Sequence, residues 1–127
     1  MNQAMGQQKT GGDLILVHWD AGEAKELASS LQAMGWKVRE GELVLKELKT
    51  RLPLAVLISL RRLPSHGREV ADALWYTKWG RTIPIIFFDG TPDKVAATRQ
   101  KFPDAEFTTW VELPTILLRH RQKEEAV

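Results

Sequence analysis

Three short apolar runs constrain the fold more than any other feature of the sequence. They are Leu14–Val17, Leu54–Ile58 and Ile83–Phe88, and the only interruption is Pro84 in the third run. A strand with one face in water alternates apolar and polar residues, whereas an unbroken run of this length indicates a strand covered on both faces. Such strands are typical of parallel sheets with helices on both sides.

Two weaker segments complete the predicted sheet. Trp36–Arg39 alternates apolar and basic residues, and Phe107–Val111 contains two threonines, so both suit the edges of a sheet. The segments between strands have helical spacing, which implies right-handed crossovers and parallel strands. We therefore predict an α/β fold of the flavodoxin-like type, a five-stranded parallel sheet in the order 2-1-3-4-5.

The five predicted helices have recognisable start and stop signals. Asp20 and Glu23 form a capping box for the first helix, and Met34 is its last apolar position before Gly35. The second helix runs from about 42 to 52. The third, capped by Ser65, runs from about His66 to Trp79, with Val70, Ala73, Leu74 and Thr77 facing inward. Pro92 and Pro114 mark the start of the fourth and fifth helices.

Length and composition indicate one soluble domain. The chain has 127 residues, 43% of them hydrophobic, and a net charge of +2. Cysteine is absent, which excludes disulfides and thiol chemistry and fits the cytoplasm, where we expect the protein. No apolar run approaches the roughly 18 residues of a membrane span. We expect a flexible leader at 1–12, a domain at 13–121 and a charged C-terminal tail at 122–127, with no output domain attached.

The segment Leu54–Gly67 is the predicted functional loop. It begins as one of the three continuous apolar strands and continues with Ser59, Arg61 and Arg62 before the third helix starts. In open α/β sheets, functional residues lie at the carboxyl ends of the strands. We therefore expect the site of this protein at the end of the third strand.

Several stretches resemble the receiver domain of bacterial response regulators, over residues 13–121. The third strand of that family is similar to P-L-A-V-L-I-S in this chain. The loop that follows it is similar to L-P-S-H-G-R-E-V, and the fourth strand is similar to I-P-I-I-F-F-D-G. The resemblance implies a receiver-like signalling domain in a two-component system. In that family, an aspartate at the end of the third strand accepts a phosphoryl group with the help of magnesium.

The residues that carry this chemistry in the family are replaced here. The resemblance places Ser59 at the aspartate, His18 and Trp19 at the magnesium-binding acidic pair with Asp20 just beyond, Asp89 at the switch hydroxyl, and Trp110 at the lysine. A serine hydroxyl is a weak nucleophile without an activating base, and a single carboxylate holds magnesium poorly. The resemblance therefore implies a degenerate pseudo-receiver with no metal, no cofactor and no enzymatic activity.

Three of these residues have alternative interpretations. Ser59 is either a target of a modifying kinase or a ligand contact, or it bonds the local backbone. Asp20 is either a metal-ligand remnant or a partner of Arg61, or it is a helix cap. His18 and His66 either form an acid/base pair or are packed separately. A hydrolase triad lacks support, because the G-x-S-x-G pattern is absent around Ser59.

A basic cluster surrounds the start of the third helix. Helix N-termini and arginines both attract anions. The candidate anion-binding residues are therefore Arg61, Arg62, His66 and Arg68. Alternatively, the arginines pair with Asp20 and Asp89 and thereby replace the phosphate and metal electrostatically.

Three of the five tryptophans are candidates for an interaction surface. Trp75 and Trp79 stand four residues apart and would share a helical face, whereas Trp110 ends the fifth strand. Alternatively, the first two pack over the edge of the core. We therefore expect an unidentified protein partner or a homodimer, and neither a membrane nor nucleic acid. The rival hypothesis is a small-molecule or anion binder, even an enzyme of unrecognised type, that uses the crevice at the strand ends.

Overall fold

The computed structural model describes residues 12–40, 48, 50–61 and 64–126, and for residues 64–67 the backbone alone. Its elements, in chain order, are β1 (Asp13–Val17), α1 (Ala21–Ala33), β2 (Lys37–Glu40), β3 (Ala55–Ser59), α2 (Pro64–Trp75), a 3-10 helix (Gly80–Thr82), β4 (Ile85–Phe88), α3 (Pro92–Lys101), β5 (Glu106–Thr108) and α4 (Leu113–Glu125). Most of the second predicted helix and most of the predicted leader lie outside the described residues.

One parallel sheet organises the molecule. Its strand order is β2-β1-β3-β4-β5, which confirms the predicted flavodoxin-like arrangement. Because all strands run in the same direction, their carboxyl ends meet at one edge of the sheet and their amino ends at the other. We call these the carboxyl edge and the amino edge.

Helices cover both faces of this sheet. One buried cluster joins alternate strand residues such as Leu16 and Leu57 to α1 and α4, and a second joins Ile15 and Ile58 to α2 and the end of α3. Every residue of β1, β3 and β4 is buried, as their continuous apolar sequences predict. The central strands are therefore rigid supports for the loops that follow them.

The predicted bounds of the third helix are wrong at both ends. This helix, α2, begins at Pro64, so Ser65 lies within it, and proline suits a first position because its missing N–H has no helical partner there. It ends at Trp75, where the Thr77 hydroxyl donates to the Leu74 carbonyl and accepts the Gly80 N–H, both at 2.9 Å. Ala73, predicted to face inward, is exposed.

Three smaller predictions also need correction. Met34 is 52% exposed because α1 ends before it, with Met34 as the C-cap. The fifth strand spans Glu106–Thr108, because the backbone turns at Thr109, whose carbonyl accepts the N–H groups of Glu112 and Leu113. The last helix continues to Glu125 and so includes most of the segment expected as a charged tail.

Candidate functional site at the carboxyl edge

Arg61, two residues past β3, connects two loops of the carboxyl edge. Its Nε donates to Oδ2 of Asp89 at 2.7 Å, and its Nη1 donates to Oε1 of Glu23 at 2.5 Å. Glu23 lies in the first turn of α1, and Asp89 directly follows β4. A single guanidinium therefore joins the loops that follow β1, β3 and β4.

His18 extends this arrangement inward. Its side chain is fully buried, its Nδ1 accepts the N–H of Asp20 at 3.0 Å, and its Nε2 lies 3.1 Å from Oε1 of Glu23. Because Nδ1 accepts a hydrogen bond, the ring proton belongs on Nε2, which donates to Glu23. We call His18, Glu23, Arg61 and Asp89 the Arg61 network.

The predicted capping box is present in part. Asp20 is the N-cap of α1 and accepts the N–H of Glu23 at 3.1 Å, as predicted. The N–H of Asp20, which a capping box gives to Glu23, donates to the His18 ring. The Glu23 carboxylate extends to Arg61, so Arg61 pairs with Glu23 and Asp89 rather than with Asp20 and Asp89.

Asp89 adopts a backbone conformation that few residues tolerate. Its φ is +61°, in the left-handed region that aspartate enters more readily than most residues. Oδ1 accepts the Trp110 N–H at 2.9 Å, and the Asp89 N–H donates to Thr108 at 3.0 Å. Asp89 therefore fixes Arg61 on one side and the chain beyond β5 on the other.

Ser59 is closed off from solvent at the end of β3. It is 4% exposed, and its Oγ accepts the N–H of Arg61 at 3.1 Å. This contact corresponds to the local-backbone interpretation of the residue. The hydroxyl thus helps to turn the chain toward the position from which Arg61 reaches its partners.

The network shifts the pKa values of two of its members. The hydrogen bond from Arg61 lowers the pKa of Glu23, and this effect exceeds the opposing effect of burial. Burial alone would lower the pKa of Arg61, but its hydrogen bonds to Glu23 and Asp89 outweigh burial and raise it. Both groups are therefore held in their charged forms.

The charge of the network does not favour an anion at Arg61. One guanidinium is paired with two carboxylates at hydrogen-bond distance. Arg68 is half-exposed on α2, whereas Arg62 and the His66 side chain lie outside the described residues. The predicted anion site and the predicted His18–His66 pair therefore stay predictions, and Arg61 contributes no unpaired charge to either.

The aromatic candidates do not form a single surface. Trp110 is partly buried near the carboxyl edge, with its ring 5.6 Å from that of Phe88. Trp75 ends α2, close to the amino edge, and is 38% exposed. Trp79 lies beyond α2 and packs against the core, so the prediction that it shares a helical face with Trp75 is wrong. Two further exposed aromatic residues are Trp19 at 45% and Tyr76 at 85%.

Over residues 12–40, 48, 50–61 and 64–126, no group of three or more His, Asp or Glu side chains is arranged to hold a metal ion. No helix within these ranges is long and apolar enough to cross a membrane.

Comparison with known proteins relates this chain to others by fold. No protein-family model matches the sequence, and no curated protein matches it. Among solved structures, the chain is similar to a protein from Chloroflexus aurantiacus J-10-fl that is assigned as a response regulator, with a TM-score of 0.65, 19% identity, and coverage of 91% of this chain and 98% of that one.

Two other solved structures are similar to the same degree. One is the signal receiver domain of a signal transduction histidine kinase from Syntrophus aciditrophicus, with a TM-score of 0.64, 19% identity, and coverage of 87% of this chain and 89% of that one. The other is an adenylate cyclase structure from Rhodopirellula baltica, with a TM-score of 0.64, 14% identity, and coverage of 91% and 90%. At these identities the likeness shows a receiver-like fold.

Proposed function

We propose that this chain is a receiver-like signalling module that acts through protein–protein contact and without phosphorylation. The observation that carries the proposal is the Arg61 network. A cation from the chain itself lies among the strand ends where, by the family resemblance, a receiver gathers magnesium and phosphate. The loops are thus held together by internal ion pairs and need no transferred group.

The other residues at the strand ends support the same proposal. Ser59 is 4% exposed and already bonded to the backbone, so a phosphoryl donor has poor access to a weak nucleophile. The Asp20 carboxylate caps α1, and Asp89 binds both Arg61 and the Trp110 N–H. These carboxylates are therefore engaged in holding loops rather than open to a cation.

The end of α2 is the best-supported surface for a protein partner. Tyr76 is 85% exposed and Trp75 beside it is 38% exposed. Exposed aromatic residues are frequent anchors of protein interfaces because they bury a large area at low cost in side-chain entropy. The proposed partner therefore contacts the molecule close to the amino edge, away from the Arg61 network.

A phosphorylation assay tests the first part of the proposal. The protein is incubated with magnesium chloride and acetyl phosphate and then examined by intact-mass spectrometry, beside an active receiver domain treated identically. We expect the active receiver to gain a phosphoryl group and this chain to remain unchanged. A phosphoryl adduct on this chain, removed by Ser59→Ala, would refute independence from phosphorylation.

A capture assay tests the second part. Immobilised wild-type protein and the Tyr76→Ala and Leu118→Ala variants are exposed to extract from the source organism, and retained proteins are compared. Leu118 is an exposed apolar residue on α4, so its variant is a matched control. We expect a retained protein that Tyr76→Ala loses and Leu118→Ala keeps. Equal retention by all three would contradict the proposed surface, and sedimentation velocity separates a homodimer from a different partner.

A further inference from the structure

A concave region lies at the amino edge, at the opposite end of the strands from the Arg61 network. The cavity has a volume of about 250 Å³ and lies between the end of α2, the start of β4 and the end of α3. Pockets that hold drug-sized ligands measure about 300–1,000 Å³, so this one suits a smaller molecule.

The floor of this pocket is apolar. Ile83, Ile85 and Phe102 line it and are 4–5% exposed, and Pro84 and Ala105 lie beside them. Trp75 forms a wall and remains 38% exposed. An aliphatic or aromatic group placed here would remove apolar surface from water on several sides.

Two opposite charges also line the pocket, those of Arg81 and Asp104. Arg81 is held in place because its Nε donates to the Trp75 carbonyl at 2.7 Å and its guanidinium carbon lies 5.8 Å from the Trp75 ring centre. Among the residues that the structure describes, neither the outer nitrogens of Arg81 nor the Asp104 carboxylate has a hydrogen-bond or ion-pair partner.

A ligand that matches these features carries an apolar group, a carboxylate and an ammonium group. We propose that the pocket binds a free α-amino acid with an apolar side chain. The side chain contacts Trp75 and Phe102, the carboxylate accepts from the outer nitrogens of Arg81, and the ammonium group donates to Asp104. A residue inside a peptide lacks both charges, and a peptide terminus carries one of them, so the free amino acid is the best match. The pocket shares Trp75 with the proposed partner surface, but ligand binding in it does not rest on the function proposed above.

Calorimetric titration with blocked analogues tests each charge separately. L-phenylalanine and L-leucine are compared with N-acetyl-L-phenylalanine, which lacks the ammonium group, and L-phenylalaninamide, which lacks the carboxylate. We expect saturable binding of both free amino acids and at least tenfold weaker binding of each analogue, since each leaves one protein charge unpaired. Intrinsic tryptophan fluorescence, to which Trp75 contributes as one of five tryptophans, provides a second measurement of the same binding.

Variants identify the residues responsible. Asp104→Asn is expected to weaken the binding of L-phenylalanine at least tenfold and to leave the affinity for N-acetyl-L-phenylalanine unchanged. Arg81→Gln is also expected to weaken the binding of L-phenylalanine, but it should leave the affinity for L-phenylalaninamide unchanged. The controls are Arg119→Gln on α4 and Glu26→Gln on α1, two exposed positions where the same kinds of charge are removed. Neither control should change the affinity for any of these compounds.

Three results would overturn the proposal. They are the absence of saturable binding by L-phenylalanine and L-leucine, equal affinity for the free and blocked compounds, and an unchanged L-phenylalanine affinity in Asp104→Asn. Because Asp104 is exposed and unpaired among the described residues, its variant is expected to fold normally. A negative result with that variant therefore bears on the site and not on the fold.

Discussion

The Arg61 network and the amino-edge pocket use the same kinds of residue in opposite ways. At the carboxyl edge, Arg61 is paired with two carboxylates across three loops. At the amino edge, Arg81 and Asp104 line one cavity without pairing with each other or, within the described chain, with another side chain. The first set of charges is used in holding the structure, and the second set is open to a ligand.

If the proposed ligand binds at the amino edge, this contrast departs from the usual expectation for the fold. Open α/β sheets ordinarily bind ligands at the carboxyl ends of their strands, because loops of variable sequence converge there. Among the described residues of that edge, the charges of Arg61, Glu23 and Asp89 are paired with one another. The opposite edge, where the chain turns after α2 and after α3, has the cavity of about 250 Å³.

Gly90→Ala should have the largest effect on stability. A Cβ at Gly90 would lie 2.7 Å from Cβ of Leu60, and the φ of +93° is unfavourable for alanine. Gly35→Ala at the amino edge is the control, because Gly35 has a φ of +97° but no atom within 4 Å of an added Cβ. We expect a loss of about 1–2 kcal/mol for Gly35→Ala and of about 2–4 kcal/mol for Gly90→Ala.

Urea denaturation of both variants measures this difference. Equal losses for Gly35→Ala and Gly90→Ala would show that the carboxyl edge has room to adjust. In that case, its close packing would not distinguish it from the amino edge.

Arg61→Met should be the next most damaging change. It keeps most of the aliphatic side chain and leaves Glu23 and Asp89 without their shared cation. The Arg61 side chain is 30% exposed, so solvent reduces the effect, and we expect a loss of about 1–2 kcal/mol at pH 7. The matched control is Lys101→Met, whose 2.8 Å pair with Asp72 is about half exposed and should contribute less than about 0.5 kcal/mol.

Chemical denaturation of Arg61→Met at pH 7 and pH 4 separates charge from packing. Arg61 lowers the pKa of Glu23, and this stabilising effect is lost in wild type when Glu23 is protonated, so the deficit of Arg61→Met should shrink in acid. A deficit that is equal at both pH values would show that Arg61 acts through packing alone.

Glu23→Gln should change the acid stability of the protein. The pKa of Glu23 is lowered from 4.5 in the folded state, so its stabilising contribution is complete above 4.5 and is lost as pH falls through the folded value. Wild type should therefore lose more stability than Glu23→Gln between pH 5 and pH 3. Thermal melts across that range measure the difference, and parallel profiles would show that the Arg61–Glu23 contact contributes nothing.

Asp104→Asn should have the smallest effect on stability, below about 0.5 kcal/mol. The residue is exposed and its carboxylate has no partner among the described residues, so no native interaction is lost. A thermal melt without ligand measures this. A loss above about 1 kcal/mol would mean that Asp104 holds the fold, and the contrast between the two edges would fail.

The sheet could be predicted because its signals are local. The continuous apolar sequence of each buried run, such as Leu14–Val17, indicates that both faces of the strand are covered. The end of α2 could not be predicted in the same way. The helical pattern continues to Trp79, but the Thr77 side chain bonds to the backbone and stops the helix.

The position of the site could be predicted from the sequence, but the ion-pair partners of its side chains could not all be predicted. The sequence predicts that Arg61 and Asp89 lie near each other, because both follow central strands. It predicts Glu23 as part of a capping box, a local arrangement, whereas the contact of Glu23 with Arg61 joins residues 38 positions apart. That contact depends on His18 accepting the Asp20 N–H, which no spacing rule indicates. Side-chain choices of this kind are decided by tertiary packing.

The Arg61 network also has a consequence for hydrogen exchange. Four backbone amides donate to side chains of the network or of the residues beside it, namely those of Asp20, Glu23, Arg61 and Trp110. They belong to three separate stretches of chain that would ordinarily open independently. Because one guanidinium holds these stretches together, the four amides should share one free energy of opening, as a single unit that opens all at once or not at all.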